Sequence, residues 1–142
     1  KYLLVREIGS LVNVFISSDI GLPEDLKEYE LPLPPHRIHH ALYYSSLLVG
    51  DSGTMAVEAV LLGTPAIMCL SNCFSFGNFL ELEKHYELLS MFSFSGQVLH
   101  TAIRYIADNN YQILFNERRK RLLKDKIDLS RFLIDFISSY IY

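Results

Sequence analysis

Residues 47–70 read LLVGDSGTMAVEAVLLGTPAIMCL, with Gly50-Asp51-Ser52-Gly53 set between two apolar runs. Two chemistries use those residue types at that spacing. A serine between an acid and a glycine is a candidate nucleophile. The same tetrapeptide at a strand-to-helix turn is a candidate cradle for an anion.

A nucleophilic Ser52 would need a base within hydrogen-bond reach and an acid to orient that base. The flanking sequence argues against the known versions. In trypsin-like proteases Gly-Asp-Ser-Gly belongs to an all-β double barrel, whereas here ten residues of helix pattern follow it. A Gly-x-Ser-x-Gly elbow would need glycine in place of Thr54. Lipases and esterases with Gly-Asp-Ser carry a later Asp-x-x-His pair, and none of the five histidines has an aspartate three residues before it.

The anion reading follows from position. A strand ending at Gly50, a polar turn and a helix starting near Gly53 would set free backbone N–H groups and the positive end of a helix dipole at the carboxyl edge of a sheet. Gly53 would let the backbone approach a ligand, and the hydroxyls of Ser52 and Thr54 can donate to phosphate oxygens. Gly63 and Pro65 then close the helix. The plain alternative is an N-cap by Asp51 or Ser52. Glu58 is not explained by capping, because a capping-box glutamate would stand at Thr54 or Met55. It lies in an otherwise apolar helix, where a carboxylate must be solvated or hydrogen-bonded. There it would either face solvent or accept hydrogen bonds from the two hydroxyls of a ribose above a bound diphosphate.

The elements that must position these residues can be read from periodicity. KYLLVREIGSL has helical spacing, and NVFISSD reads as a buried strand. A short acidic turn and Pro32, Pro34 and Pro35 make an extended connection. HRIHHALYYSS is a helix, LLVG a strand, GTMAVEAVLL a helix and PAIMCL a strand. Residues 78–89 form a helix, SMFSF a last short strand, and the chain is helical from Gly96 onward. Short apolar strands alternating with helices predict an α/β fold, a Rossmann-like parallel sheet flanked by helices.

The chain has 142 residues, is half hydrophobic and carries a net charge of −3. That length suits one domain, and the charge gives no global attraction to nucleic acid. No apolar run approaches the roughly 18 residues needed to span a bilayer, and no signal peptide is evident, so a cytoplasmic location is expected. Cys69 and Cys73 lack a second ligand pair for zinc and are expected to be reduced. No metal is expected. Residues 117–126, ERRKRLLKDK, hold six basic residues. They would touch phosphate or lipid headgroups at a membrane surface, or form a solvated helix face above a stripe of Leu122 and Leu123; no nucleic-acid module accompanies them. The terminal helix, with Leu129, Phe132, Leu133, Phe136, Ile137 and Tyr140 on one face, would pack on the domain or on a partner.

His39 and His40 begin the helix before the motif strand, and His39 or His36 could contact a sugar or phosphate, or these could be ordinary surface histidines. Adjacent His39 and His40 diverge too far to share a metal. Asn72, Ser75 and Asn78 fall after PAIMCL, on the ligand side of an open α/β sheet, where they would reach a sugar or serve as turn and cap residues, Asn78 as the N-cap.

GDSGTMAVEAVLLGTPAI resembles the nucleotide-binding motif in the C-terminal domain of GT-B-fold enzymes. UDP-N-acetylglucosamine 2-epimerase is one such case, with Asp-Ser-Gly-Gly before a Glu-containing helix and Gly-x-Pro. FISSDIGLPEDLKEYELPLPPHRIHHALYYSSLLVGDSGTMAVEAVLLGTPAI, with NFLELEKHYELL, is similar to an uncharacterised group of prokaryotic GT-B-like proteins. The likeness covers roughly residues 13–94. It implies the C-terminal half of a GT-B fold, with Ser52, Gly53 and Thr54 on the diphosphate and Glu58 on the ribose of a UDP-sugar, taken as substrate with no further cofactor. It also implies an N-terminal half, in the same chain or a separate one, as in the split N-acetylglucosaminyltransferase of the dolichol pathway. The His-Arg-Arg-Glu-Asn and Thr-Glu-Arg-Pro-Glu segments of the epimerase have no counterpart here, so a transferase-like donor half is expected over an epimerase half. A non-catalytic interaction module is the remaining expectation.

Overall fold

The computed structural model describes residues 2–71, 76–108 and 110–140. Its sheet has three short parallel strands: β1 (Leu48–Gly50), β2 (Ala66–Cys69) and β3 (Leu89–Phe92), in the order β1-β2-β3. Leu48 pairs with Ala66, and Ala66 with Leu89. Strands this short and apolar are covered on both faces, as a parallel sheet requires. Alternation of side chains sends Leu48, Ala66, Met68, Leu89 and Met91 to one face and Val49, Ile67, Cys69 and Phe92 to the other.

The first face is covered by α2 (Ile38–Tyr44), α3 (Gly53–Leu62), α4 (Gly77–Leu80) and α6 (Tyr111–Asp125) through Leu42, Ala56, Val60, Phe79, Phe115 and Leu122. The second is covered by α1 (Tyr2–Gly9) and α5 (Val98–Ala107) through Ile8, Val98 and Ala102. Ile67 and Met68 of the central strand are wholly buried, and burial of each side chain contributes about 1.5–3 kcal/mol. The α/β reading from the sequence therefore holds.

The buried strand expected at 13–19 does not form. Ile16 makes a single parallel bridge to Glu30, with its N–H on the Tyr29 carbonyl and its own carbonyl taking the Leu31 N–H. The next residue of the partner segment is Pro32, which has no N–H to continue a ladder. The helix expected over 78–89 is also shorter: α4 runs into a π turn at Glu81–His85, and Glu87 (φ 54°) reverses the chain so that β3 begins at Leu89. Asn78 lies inside α4 rather than capping it, since the helix starts at Gly77 after Phe76.

The helical C-terminal part is broken into α5, α6 and α7 (Leu129–Ser138), with Asp128 capping α7 through the Arg131 N–H at 3.0 Å. The stripe of α6 is Phe115 and Leu122, and Leu123 is exposed. Most basic residues of the 117–126 stretch are committed within the chain. Arg119 donates to the Leu61 carbonyl (2.7 Å), Arg121 to that of His85 (2.5 Å) and Arg118 to that of Glu87 (3.2 Å), while Lys126 pairs with Glu81 (2.5 Å). Cations on the last carbonyls of helices complement the helix dipole. The terminal helix α7 buries none of its residues in the chain, so the packing on the domain expected for it does not occur.

Gly63 ends α3 in the left-handed region (φ 105°), its N–H shared between the carbonyls of Ala59 and Val60. Gly63→Ala is expected to lower the unfolding free energy by about 1–2 kcal/mol, read as a lower urea midpoint at unchanged slope. Gly96→Ala, whose new Cβ meets no atom within 4 Å, should stay within about 0.5 kcal/mol of the parent.

Candidate functional site

The candidate site lies at the carboxyl end of β1. Gly50 ends the strand, Asp51 forms a bend, and Ser52 is the N-cap of α3 with extended backbone (φ −85°, ψ 111°). The Ser52 Oγ accepts a hydrogen bond from the Met55 N–H at 3.4 Å, and its carbonyl takes the Ala56 N–H at 3.0 Å. Of the four N–H groups that a helix start cannot satisfy, Met55's is thus capped. Those of Ser52, Gly53 and Thr54 have no acceptor within α3. Ser52 and Thr54 are exposed and Gly53 half-buried, so these donors open on solvent at the positive end of a ten-residue helix.

The cap answers the nucleophile question as well. The Ser52 hydroxyl faces Met55 N, and His39 on the neighbouring helix lies against Glu58 instead. The hydroxyl proton stays available for an incoming acceptor, because capping uses only a lone pair.

Gly53 serves a second purpose. A Cβ at this position would lie 2.4 Å from the ring of Phe79, a buried residue of α4. The missing side chain lets the Phe79 ring pack against the first turn of α3. No local signal at Gly53 points to Phe79, 26 residues on.

Glu58 is neither fully buried nor free in solvent. Its side chain is 35% exposed, and its Oε2 lies 3.3 Å from Nε2 of His39 on α2. Thr54 and Glu58 share a face of α3 by their four-residue spacing. The packing of α2 against α3 involves Thr64, which sequence reasoning missed. Buried in the turn after α3, its hydroxyl donates to the Leu42 carbonyl at 2.5 Å, with the Ser45 carbonyl at 3.2 Å. Leu42 opposite Thr64 and His39 opposite Glu58 make α2 run parallel to α3. The turn Pro35–Arg37, with exposed His36, accordingly lies on the side of the site. Among the described residues no hydrogen bond or ion pair joins His36 to Ser52 or Glu58. Asn72, Cys73 and Ser75 lie outside the described residues.

Two clefts flank the sheet. One of about 320 Å³, lined by Phe92, Phe94 and Gln97, lies at the carboxyl edge beyond β3. Another of about 430 Å³ lies at the amino edge between Glu83, Ser90, Arg104, Tyr105, Tyr111 and Arg118. Its groups mostly satisfy one another. Arg118 pairs with Glu87, Ser90 Oγ lies 2.5 Å from the Tyr105 hydroxyl, and Tyr105 stacks on Tyr111. Burial, then the hydrogen bond to Tyr105, pushes the Tyr111 hydroxyl far above its ordinary range. In open α/β sheets ligands bind at the carboxyl edge, which favours the α3 side.

Residues 18–142 match the family model described as Protein of unknown function (DUF354). The chain belongs to this family. The match takes in β1 to β3, α2 to α7 and every residue of the candidate site; α1 and Ile16 precede it. No curated protein and no solved structure matches the chain. Among the described residues, no helix is long and apolar enough to cross a membrane, and no group of three or more His, Cys, Asp or Glu side chains is arranged to hold a metal ion.

Ser52→Ala should cost about 1 kcal/mol through loss of the cap, whereas Ser52→Asp, which keeps an acceptor at the helix start, should leave stability within about 0.5 kcal/mol of the parent. Thermal unfolding of the two variants side by side checks this.

Proposed function

We propose that this domain binds the UDP part of a nucleotide sugar and acts as the donor half of a glycosyltransferase-like protein of the GT-B kind. The observation that carries the reading is the set of N–H groups at Ser52, Gly53 and Thr54 at the carboxyl edge of a parallel sheet, with the carboxylate of Glu58 further along the same helix. A diphosphate would take the N–H donors and the hydroxyls of Ser52 and Thr54. The ribose would lie against α3 on the side facing α2, its hydroxyls donating to Glu58. The sugar would lead the other way, toward the loops after β2 and β3 and the cleft beside Phe94.

In transfer, negative charge builds on the departing UDP. Fixed N–H groups at a helix start stabilise that charge without reorganising, which is this half's share of catalysis. The acceptor and the remaining chemistry would come from an N-terminal half in the same or another chain. An epimerase half has less support, since its two signature segments have no counterpart. The uncovered apolar face of α7 favours a second reading, a non-catalytic module that docks a partner.

Titration calorimetry with UDP and UDP-N-acetylglucosamine, carried to millimolar ligand, tests the proposal. Glu58→Ala should weaken UDP binding about ten-fold or more, the loss expected for hydrogen bonds to a charged group. Ser52→Asp should abolish binding by placing a carboxylate against the diphosphate while the protein stays folded. Folded parent protein that takes up neither ligand would overturn the reading.

A further inference from the structure

We infer that His39 is a positioning residue for Glu58 and thereby sets the preference of this site for a ribonucleotide over its 2′-deoxy counterpart. The inference rests on the nucleotide reading above and assigns His39 a place in it other than touching phosphate or sugar. The Nε2 of His39 lies 3.3 Å from Oε2 of Glu58, across the parallel pair α2 and α3. Thr64, buried and bonded to the Leu42 and Ser45 carbonyls, holds that pair in register.

A glutamate a third exposed on a helix samples several rotamers, and each hydrogen bond to a ribose hydroxyl must overcome that freedom. The His39 ring, itself 58% exposed, lies beside the carboxylate, restricts those rotamers and removes part of the cost before the ligand arrives. The ring approaches Oε2 and leaves Oε1 open to neighbouring hydroxyls. Held in this way, the carboxylate would be left with an unmet acceptor when one hydroxyl is missing, and such sites reject the deficient ligand strongly. An unbraced carboxylate can turn to water instead.

The distinguishing quantity is the ratio of UDP to 2′-deoxy-UDP affinity, measured by calorimetry on the full chain. The parent should prefer UDP about ten-fold, converting one hydrogen bond to a charged group. In His39→Ala that ratio should fall to about two-fold, and His39→Gln, which keeps a donor of similar reach, should restore most of it. Affinity for inorganic pyrophosphate, which needs only the start of α3, should be unchanged in all three proteins. In Glu58→Ala, further removal of His39 should have no added effect, since coupled residues are not additive. Parent protein that binds neither nucleotide would overturn the site and this inference together. UDP binding with an unaltered ratio in His39→Ala, or an equal loss of pyrophosphate, would overturn the role of His39 alone.

Discussion

Five residues, Leu61 to Pro65, hold the architecture in place. Gly63 reverses the chain out of α3 at a φ of 105°, and buried Pro65 starts it toward the central strand, its carbonyl taking the Leu48 N–H of β1. Between them Thr64 sends its hydroxyl into the end of α2. From the other side α6 grips the same turn, Arg119 on the Leu61 carbonyl and Gln112 on that of Gly63 (3.1 Å). A left-handed residue, a buried hydroxyl and two side-chain donors thereby fix α2, α3, α6 and two strands against one another. The spacing of His39 from Glu58 and the aim of the α3 N-terminus are set at the opposite end of that helix.

Strand and helix patterns around the motif were legible because local chemistry dictates them. Ser52, Gly63 and Pro65 are each a residue type that suits their position in a strand-turn-helix-turn-strand unit, and the unit forms as read. What could not be read is non-local. The strand expected at 13–19 fails because its neighbour at 29–31 runs into Pro32, a fact about a partner rather than about NVFISSD. The π turn at Glu81–His85 absorbs residues that an apolar helical period assigned to one long helix. Phe79 against Gly53, and Thr64 against Leu42, are contacts across 26 and 22 positions for which neither residue carries a local mark.

The basic stretch of α6 teaches the same point in charge. Six cations in ten residues suggest a surface for phosphate, yet Arg118, Arg119 and Arg121 each meet the carbonyl at the end of a helix or turn. Guanidinium groups suit this use because their fork can hold a carbonyl and a carboxylate together, as Arg118 does with Glu87. Their charge is then spent on orphan carbonyls that the packing of α3 and the π turn leaves exposed.

The same accounting bounds what the α3 start can do alone. Three N–H donors and one carboxylate, at about 1.5–3 kcal/mol for each hydrogen bond to a charged group, give a gross stabilisation of about 6–12 kcal/mol. Association costs about 4 kcal/mol or more before side chains are ordered. The difference, about 2–8 kcal/mol, corresponds to dissociation constants from roughly tens of millimolar to about micromolar. Asp51, exposed one residue before the cap, lowers this further by its own charge. At the weak end of that range a nucleotide sugar would be held only loosely, and tight capture would need contacts from a second surface that closes over the carboxyl edge. Loose holding would also suit the proposed donor half, which would have to release UDP once the sugar had left.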